Sequence, residues 1–235
     1  MEKHARPLRV ASYNIRKCIG LDRRRRPGRT LDVIAALEAD IVALQEADRR
    51  LGNRPSALDR HEIERSTDLE PIEVAVNDVS LGWHGNAVLL RKGIKVQALE
   101  RLDLPGLEPR GAVLVELGLP GGPARLVATH LGLTRQMRRA QLRAISALVH
   151  NRAEMPTLIL GDFNEWSNAR GLEPLLRDYE VHAPGRSFHA ARPVAALDRI
   201  AANRGFDLHD AGVVETKKSR RASDHLPIWA EFSRA

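Results

Sequence analysis

Eight polar residues of this chain stand where short apolar runs end, and their types are those that bind cations and move protons. Asn14 closes SYNI, Glu46 closes VALQE and His130 closes VATH. Asp162 and Asn164 follow LILG in GDFN, Asp198 sits in LDRI, and Asp224 with His225 opens SDHLP. A strand end is a rigid mount at the rim of a sheet, where reactive groups are commonly held. Taken singly, each has a plainer explanation. Asp or Asn after a strand is a common turn former or helix cap, and a lone histidine such as His130 reads as a satisfied, partly buried side chain. Taken jointly, four carboxylates, two asparagines and two histidines at strand ends point to chemistry on oxygen. Oxygen donors favour a hard divalent cation, and histidine is the natural proton acceptor near neutral pH. Glu46 is the foremost ligand candidate, because a glutamate ending a buried-looking strand otherwise costs desolvation energy.

The elements that must position these residues are legible as short β-branched runs broken by Gly, Pro and polar segments. Residues 8–15, 40–45, 86–90, 112–117, 125–129, 157–160, 197–201 and 228–232 read as strands. Several are almost continuously apolar, as expected of strands covered on both faces. Between them, Thr30 is placed to cap a helix over residues 31–38, and residues 135–152 form the longest helical pattern, with Leu142, Ile145 and Val149 facing inward. A shorter helix is expected over residues 168–177. Residues 49–78 read as loop with a short helix near 57–65. There is no linker, repeat or composition shift, so the expectation is one α/β domain over residues 1–235.

The chain has 235 residues, with 37 Lys plus Arg, 30 Asp plus Glu and a formal charge of +7. Hydrophobic residues at 43% and charged residues at 29% are globular proportions and argue against disorder. No apolar run approaches the ~18–20 residues needed to span a bilayer, and the basic start lacks a signal-like apolar stretch. The single cysteine, Cys18, excludes an intrachain disulfide or a multi-cysteine zinc site and reads as a packed or surface thiol. The expectation is a soluble, cytoplasmic protein. Arginine clusters at residues 23–26 and 135–143, with a Lys/Arg cluster at 217–221, either steer a phosphate-bearing partner or are solvated faces. Aromatics at 4% leave few stacking platforms for single strands.

SYNI, LQE, GNA at residues 85–87, TH at 129–130, GDFN, LDRI and SDHLP follow one another in an order that resembles the endonuclease/exonuclease/phosphatase superfamily, the DNase I-like fold. The motifs run from residue 12 to 227. The resemblance implies a four-layer α/β/β/α sandwich of two mixed sheets, with the site at one rim, and a metal-dependent phosphoesterase, most simply a phosphodiesterase. It implies Mg²⁺ or Mn²⁺ held through Glu46, with Asn14 and Asp224 close by. It makes His225 the catalytic histidine, Asp198 its orienting carboxylate, Asp162 and Asn164 the pair that positions water and a phosphate oxygen, and His130 a proton donor or charge stabiliser. Asn86 in GNA and Arg16 fall on the substrate side.

Two departures bear on the substrate. Abasic-site endonucleases carry an acidic residue where this chain has Arg16, and a tyrosine-containing segment where it has VATHL. Both move the resemblance toward DNase I-like, phosphatase or sphingomyelinase-like members. Arg16 itself either grips a substrate phosphate or pairs with an acidic neighbour and holds the rim. Nucleic acid, a phospholipid headgroup and a small phosphate ester remain open as substrates. The rival from another class is a non-catalytic nucleic-acid-binding domain. It leaves unexplained four carboxylates at one rim, which repel each other and repel phosphate without a cation.

Overall fold

In the computed structural model, which describes residues 6–168 and 170–235, the apolar runs pair into two six-stranded sheets. The first contains β1 (Leu8–Asn14), β2 (Ile41–Gln45), β3 (Leu69–Pro71), β4 (Ala87–Arg91), β11 (Phe206–Val213) and β12 (Ile228–Arg234), in the order β11-β12-β1-β2-β4-β3. The second contains β5 (Lys95–Leu104), β6 (Arg110–Leu119), β7 (Gly122–His130), β8 (Thr157–Asp162), β9 (Glu180–His182) and β10 (Asp198–Ala202), in the order β5-β6-β7-β8-β10-β9. Successive side chains of a strand leave opposite faces, and the apolar residues sort accordingly. Val10, Ala43 and Val88 face Val115, Leu126, Leu160 and Ile200 across the space between the sheets. Ala11, Tyr13, Val42 and Leu44 point outward to Leu31 and Ile34 of α1 (Pro27–Ala35) and Ile63 of α2 (Arg60–Ser66). On the far side Leu114, Val127 and Ile159 meet Leu142 and Ile145 of α3 (Arg135–His150). The result is helix, sheet, sheet, helix, and it accounts for strands that are apolar at nearly every position.

Each sheet contains one parallel pair, β1 with β2 and β7 with β8, while its other neighbours run antiparallel. Parallel neighbours require a crossover, and the segments containing α1 and α3 supply the two. A parallel pair also brings two carboxyl ends side by side: Asn14 lies opposite Gln45, and His130 opposite Asp162. β10 starts at the same rim, with Asp198 opposite Asp162. β12 starts there as well, with Ile228 opposite Ser12, so SDHLP enters at the rim. Packing of β1 on β8 and β2 on β7 joins the two halves.

Several elements differ from expectation. α1 begins at Pro27, not at Leu31, and Thr30 is a buried residue inside it. Proline at the first helical position gives up only an N–H that would have no partner there. α2 is capped by Asp59, whose side chain accepts from the Glu62 amide at 3.0 Å. Residues 168–177 show turns in place of the expected helix, and Ala169 of that segment lies outside the described residues. β3, β5, β9 and β11 were not anticipated. β5, β3 and β9 are edge strands, and β5 carries Lys95, Gln97, Glu100 and Arg101 in place of an apolar run.

Candidate active site

The first-sheet half of the rim is made by backbone geometry that few residues adopt. After β1, Arg16, Lys17 and Cys18 take φ of 47°, 57° and 59°, and Glu46 after β2 takes 52°. A left-handed conformation costs a non-glycine residue on the order of 1 kcal/mol. The turn is held by Ile15 N–H donating to the Gln45 carbonyl and Lys17 N–H to that of Glu46, both at 3.0 Å. It delivers the Lys17 ammonium onto the Glu46 carboxylate. Arg16 Nε lies 3.3 Å from Asp224 Oδ2. The Ser223 hydroxyl donates to the Asn14 carbonyl at 2.6 Å, tying the SDHLP segment to the end of β1.

The second-sheet half centres on Asp162. Gly161 precedes it with φ of +154°, and a Cβ there would lie 1.8 Å from the Thr129 carbonyl oxygen. Only glycine lets β7 and β8 approach this closely. Asp162 Oδ1 accepts the Asn164 amide at 2.9 Å, and the Asn164 side chain, on a residue at φ 52°, donates to the Leu131 carbonyl at 2.9 Å. Asp162 Oδ2 has Asn14 Nδ2 at 3.0 Å, His130 Nε2 at 3.4 Å and His225 Nε2 at 3.6 Å. Behind His225, Nδ1 lies 2.8 Å from Asp198 Oδ2, and the Ser187 hydroxyl donates to that same oxygen. This bond makes Nδ1 the donor nitrogen.

The two imidazoles have opposite electrostatics. Burial pushes His130 down to about 3, against the opposing pull of Asp162. Burial also disfavours charge on His225, but Asp198, Asp162 and Asp224 outweigh it and raise that group to about 10. At neutral pH His130 is neutral and His225 is an imidazolium.

Asn14, Glu46, His130, Asp162, Asn164 and His225 all line one cleft of about 340 Å³. The oxygen-bearing set Asn14, Glu46, Asp162 and Asn164 has the chemistry a hard divalent cation requires. Asp162, Asp198 and His225 also offer ligand atoms within 4.8 Å of one another. Asp198 stands behind His225 at the back of this group. Asp224 does not line the cleft and instead turns to Arg16, so the rim-holding reading of Arg16 is the contact observed. Asn86, expected on the substrate side, is fully buried; its Nδ2 donates to the carbonyls of Trp83 at 3.1 Å and Gly111 at 3.0 Å, which fastens the start of β4 to β6, while its Oδ1 has no partner among the described residues.

Residues that the sequence reading passed over also shape the site. Lys17, beside Glu46, is one. Glu165, immediately after GDFN, is another: it is fully buried with Arg135 Nη2 at 3.0 Å and Arg138 Nη2 at 2.7 Å. Burial opposes its charge, yet the two guanidiniums hold its carboxyl down at about 2. Arg135 and Arg138, read as part of a solvated face, therefore anchor α3 to the loop carrying Asp162 and Asn164. A glutamate directly after a site motif, matched to two arginines on the preceding helix, was the available signal. Arg49, Arg50, Arg54 and Arg110 line the cleft as well. Cys18 is buried, and burial raises its thiol to about 11, so it is an inert packed residue.

Residues 11–225 match the Endonuclease/Exonuclease/phosphatase family. Over 221 residues the chain is 28% identical to the uncharacterized protein YbhP of Escherichia coli (strain K12), covering 86% of each. Among solved structures it is similar to the mannosyl-6-phosphatase Bt3783 of Bacteroides thetaiotaomicron VPI-5482, with a TM-score of 0.72 at 17% identity over 96% of this chain and 99% of that one. It is equally similar to D. rerio TDP2 complexed with a single-strand DNA product, with a TM-score of 0.74 at 17% identity over 96% and 98%.

Proposed function

The chain belongs to the Endonuclease/Exonuclease/phosphatase family, and from that premise we propose that it is a divalent-metal-dependent hydrolase of a phosphodiester bond. The observation that carries the proposal is the convergence of Asn14, His130 and His225 on one oxygen of Asp162, in a cleft that also contains Glu46. The reading takes residues 1–235 as one catalytic domain, supported by a core cluster that draws on both sheets. It takes the cytoplasm as the site of action, supported by a lone buried thiol.

Mg²⁺ or Mn²⁺ would be held by Glu46, with Asn14 and Asp162 beside it. When bound, such a cation supplies positive charge to the phosphoryl oxygens. Lys17, paired with Glu46, adds a fixed positive charge beside that position. Asp162 receives the proton of the attacking water, with Asn164 fixing its carboxylate. His225, charged at neutral pH, stabilises the phosphoryl oxygens or protonates the leaving oxygen. Asp198 keeps its Nδ1 protonated and its Nε2 facing the cleft. The three carboxylates that favour its charged form support an acid role for His225 over a base role. Neutral His130, with Nε2 3.4 Å from Asp162 Oδ2, packs beside that carboxylate and limits its orientation.

The test is hydrolysis of bis-p-nitrophenyl phosphate by the wild type and Asp162→Ala. The variant is expected to lose three or more orders of magnitude in kcat, as removal of a central proton acceptor typically does. A near-native rate overturns the assignment. Salt-sensitive retention of DNA with no hydrolysis under any divalent metal supports the non-catalytic alternative instead.

A further inference from the structure

The cleft is rich in arginine: Arg49, Arg50, Arg54 and Arg110 line it together with Asp162 and the two imidazoles. Their charges are unequally neutralised. Arg110 is nine-tenths buried and sits 2.9 Å from Glu108. Arg50 is 68% exposed and, among the described residues, its one ion pair is with Glu46 at 4.0 Å, a carboxylate already engaged by Lys17. Arg54 donates to His84 Nδ1 at 2.9 Å, and His84 Nε2 in turn lies 2.8 Å from Asp103. Among the described residues neither Arg49 nor Arg54 forms an ion pair with a carboxylate. The remaining carboxylate of the cleft, Asp48, is occupied by the Leu81 and Gly82 amides at 2.7 and 3.1 Å.

A scissile phosphate at Asp162 engages the groups that converge there, whereas Arg54, among the described residues, contacts none of them. We propose that Arg50 and Arg54, backed by Arg110, form a subsite for a second phosphate group of the same substrate molecule. The enzyme would then prefer doubly phosphorylated esters over those with one phosphate. This rests on the phosphodiesterase reading above and narrows it. Planar guanidiniums suit such a group because each can give it two parallel hydrogen bonds.

The test compares kcat/KM within two substrate pairs, each differing by one phosphate: thymidylyl-thymidine with and without a 5′-phosphate, and glycerophosphoinositol with and without a ring phosphate. For the pair the enzyme turns over faster, the phosphorylated member is expected to be favoured at least tenfold by the wild type. Arg54→Gln and Arg50→Gln should each bring that ratio toward one, and Arg54→Lys should retain part of it. Which pair shows the effect distinguishes a nucleotide from a phosphorylated headgroup as the source of the second phosphate. Arg50 is exposed, so its variant keeps the test valid if Arg54→Gln fails to fold. A wild-type ratio within twofold of one, an unchanged ratio in both Gln variants, or turnover of bis-p-nitrophenyl phosphate with neither pair used overturns the subsite. Absence of bis-p-nitrophenyl phosphate hydrolysis overturns the underlying activity instead.

Discussion

The two histidines show how a residue type leaves its role undetermined until its neighbours are known. His130 and His225 approach the same carboxylate oxygen, yet burial controls the first and three aspartates control the second. His225 carries a proton in the folded state up to about pH 10, against 6.5 unfolded. Its contribution to stability is therefore complete below pH 6.5 and is lost as pH rises through 10. His130 has the reverse sign. Its folded value of about 3 lies below 6.5, so stability falls as pH drops from 6.5 toward 3, where only the unfolded chain takes up that proton. Replacing Asp198 with Asn should bring the His225 titration down toward its ordinary value and move the alkaline limb of the kcat profile acidward. Imidazole titration by NMR, alongside the pH–rate profile, checks this; an unmoved titration contradicts the Asp198 assignment. The identities of these residues were readable as strand-end polar groups. Their protonation states were not, because those depend on contacts such as His225 with Asp162, between residues far apart in sequence. Asn86 illustrates the same limit: its motif position was visible, but its bond to the Gly111 carbonyl was not.

At the scale of elements, the site exists because two parallel pairs lie at the centres of two facing sheets. Strands buried on both faces were conspicuous in the sequence as unbroken apolar runs. Edge strands such as β5 were missed because solvent on one side permits charged residues. The glycine of GDFN has a steric explanation that the sequence withheld: its Cβ would collide with the backbone of β7. Gly161→Ala is expected to destabilise the fold by about 3 kcal/mol through strain and displaced backbone, read as a lower midpoint in urea. The Glu165 anchor makes a second prediction at this scale. Glu165→Gln leaves Arg138 buried beside a neutral partner and should cost about 3 kcal/mol. Misplacement of Asp162 should lower kcat more than it raises KM. A variant as stable and active as wild type contradicts the anchoring role.

Over the whole molecule, a net charge of +7 surrounds a cleft whose floor is carboxylate. That distribution attracts an anionic substrate from a distance while reserving the floor for a cation. Of the arginine clusters visible in the sequence, that at 135–143 proves partly structural. The cations lining the cleft come instead from the loop after β2 and the start of β6, where no run of charge marked them. No helix among the described residues is long and apolar enough to cross a membrane. If the substrate is a nucleic acid, kcat/KM should fall steeply as salt rises, because phosphate contacts release counterions; a small ester should show a shallow slope. The measurement that tests the central claim most directly is hydrolysis of bis-p-nitrophenyl phosphate by metal-stripped protein, then with Mg²⁺ or Mn²⁺ restored, in wild type and Glu46→Ala. The expected result is no activity when stripped, recovery on adding the metal, and little recovery in the variant. Full activity in the presence of EDTA, retained by Glu46→Ala, would contradict a metal-centred phosphoesterase.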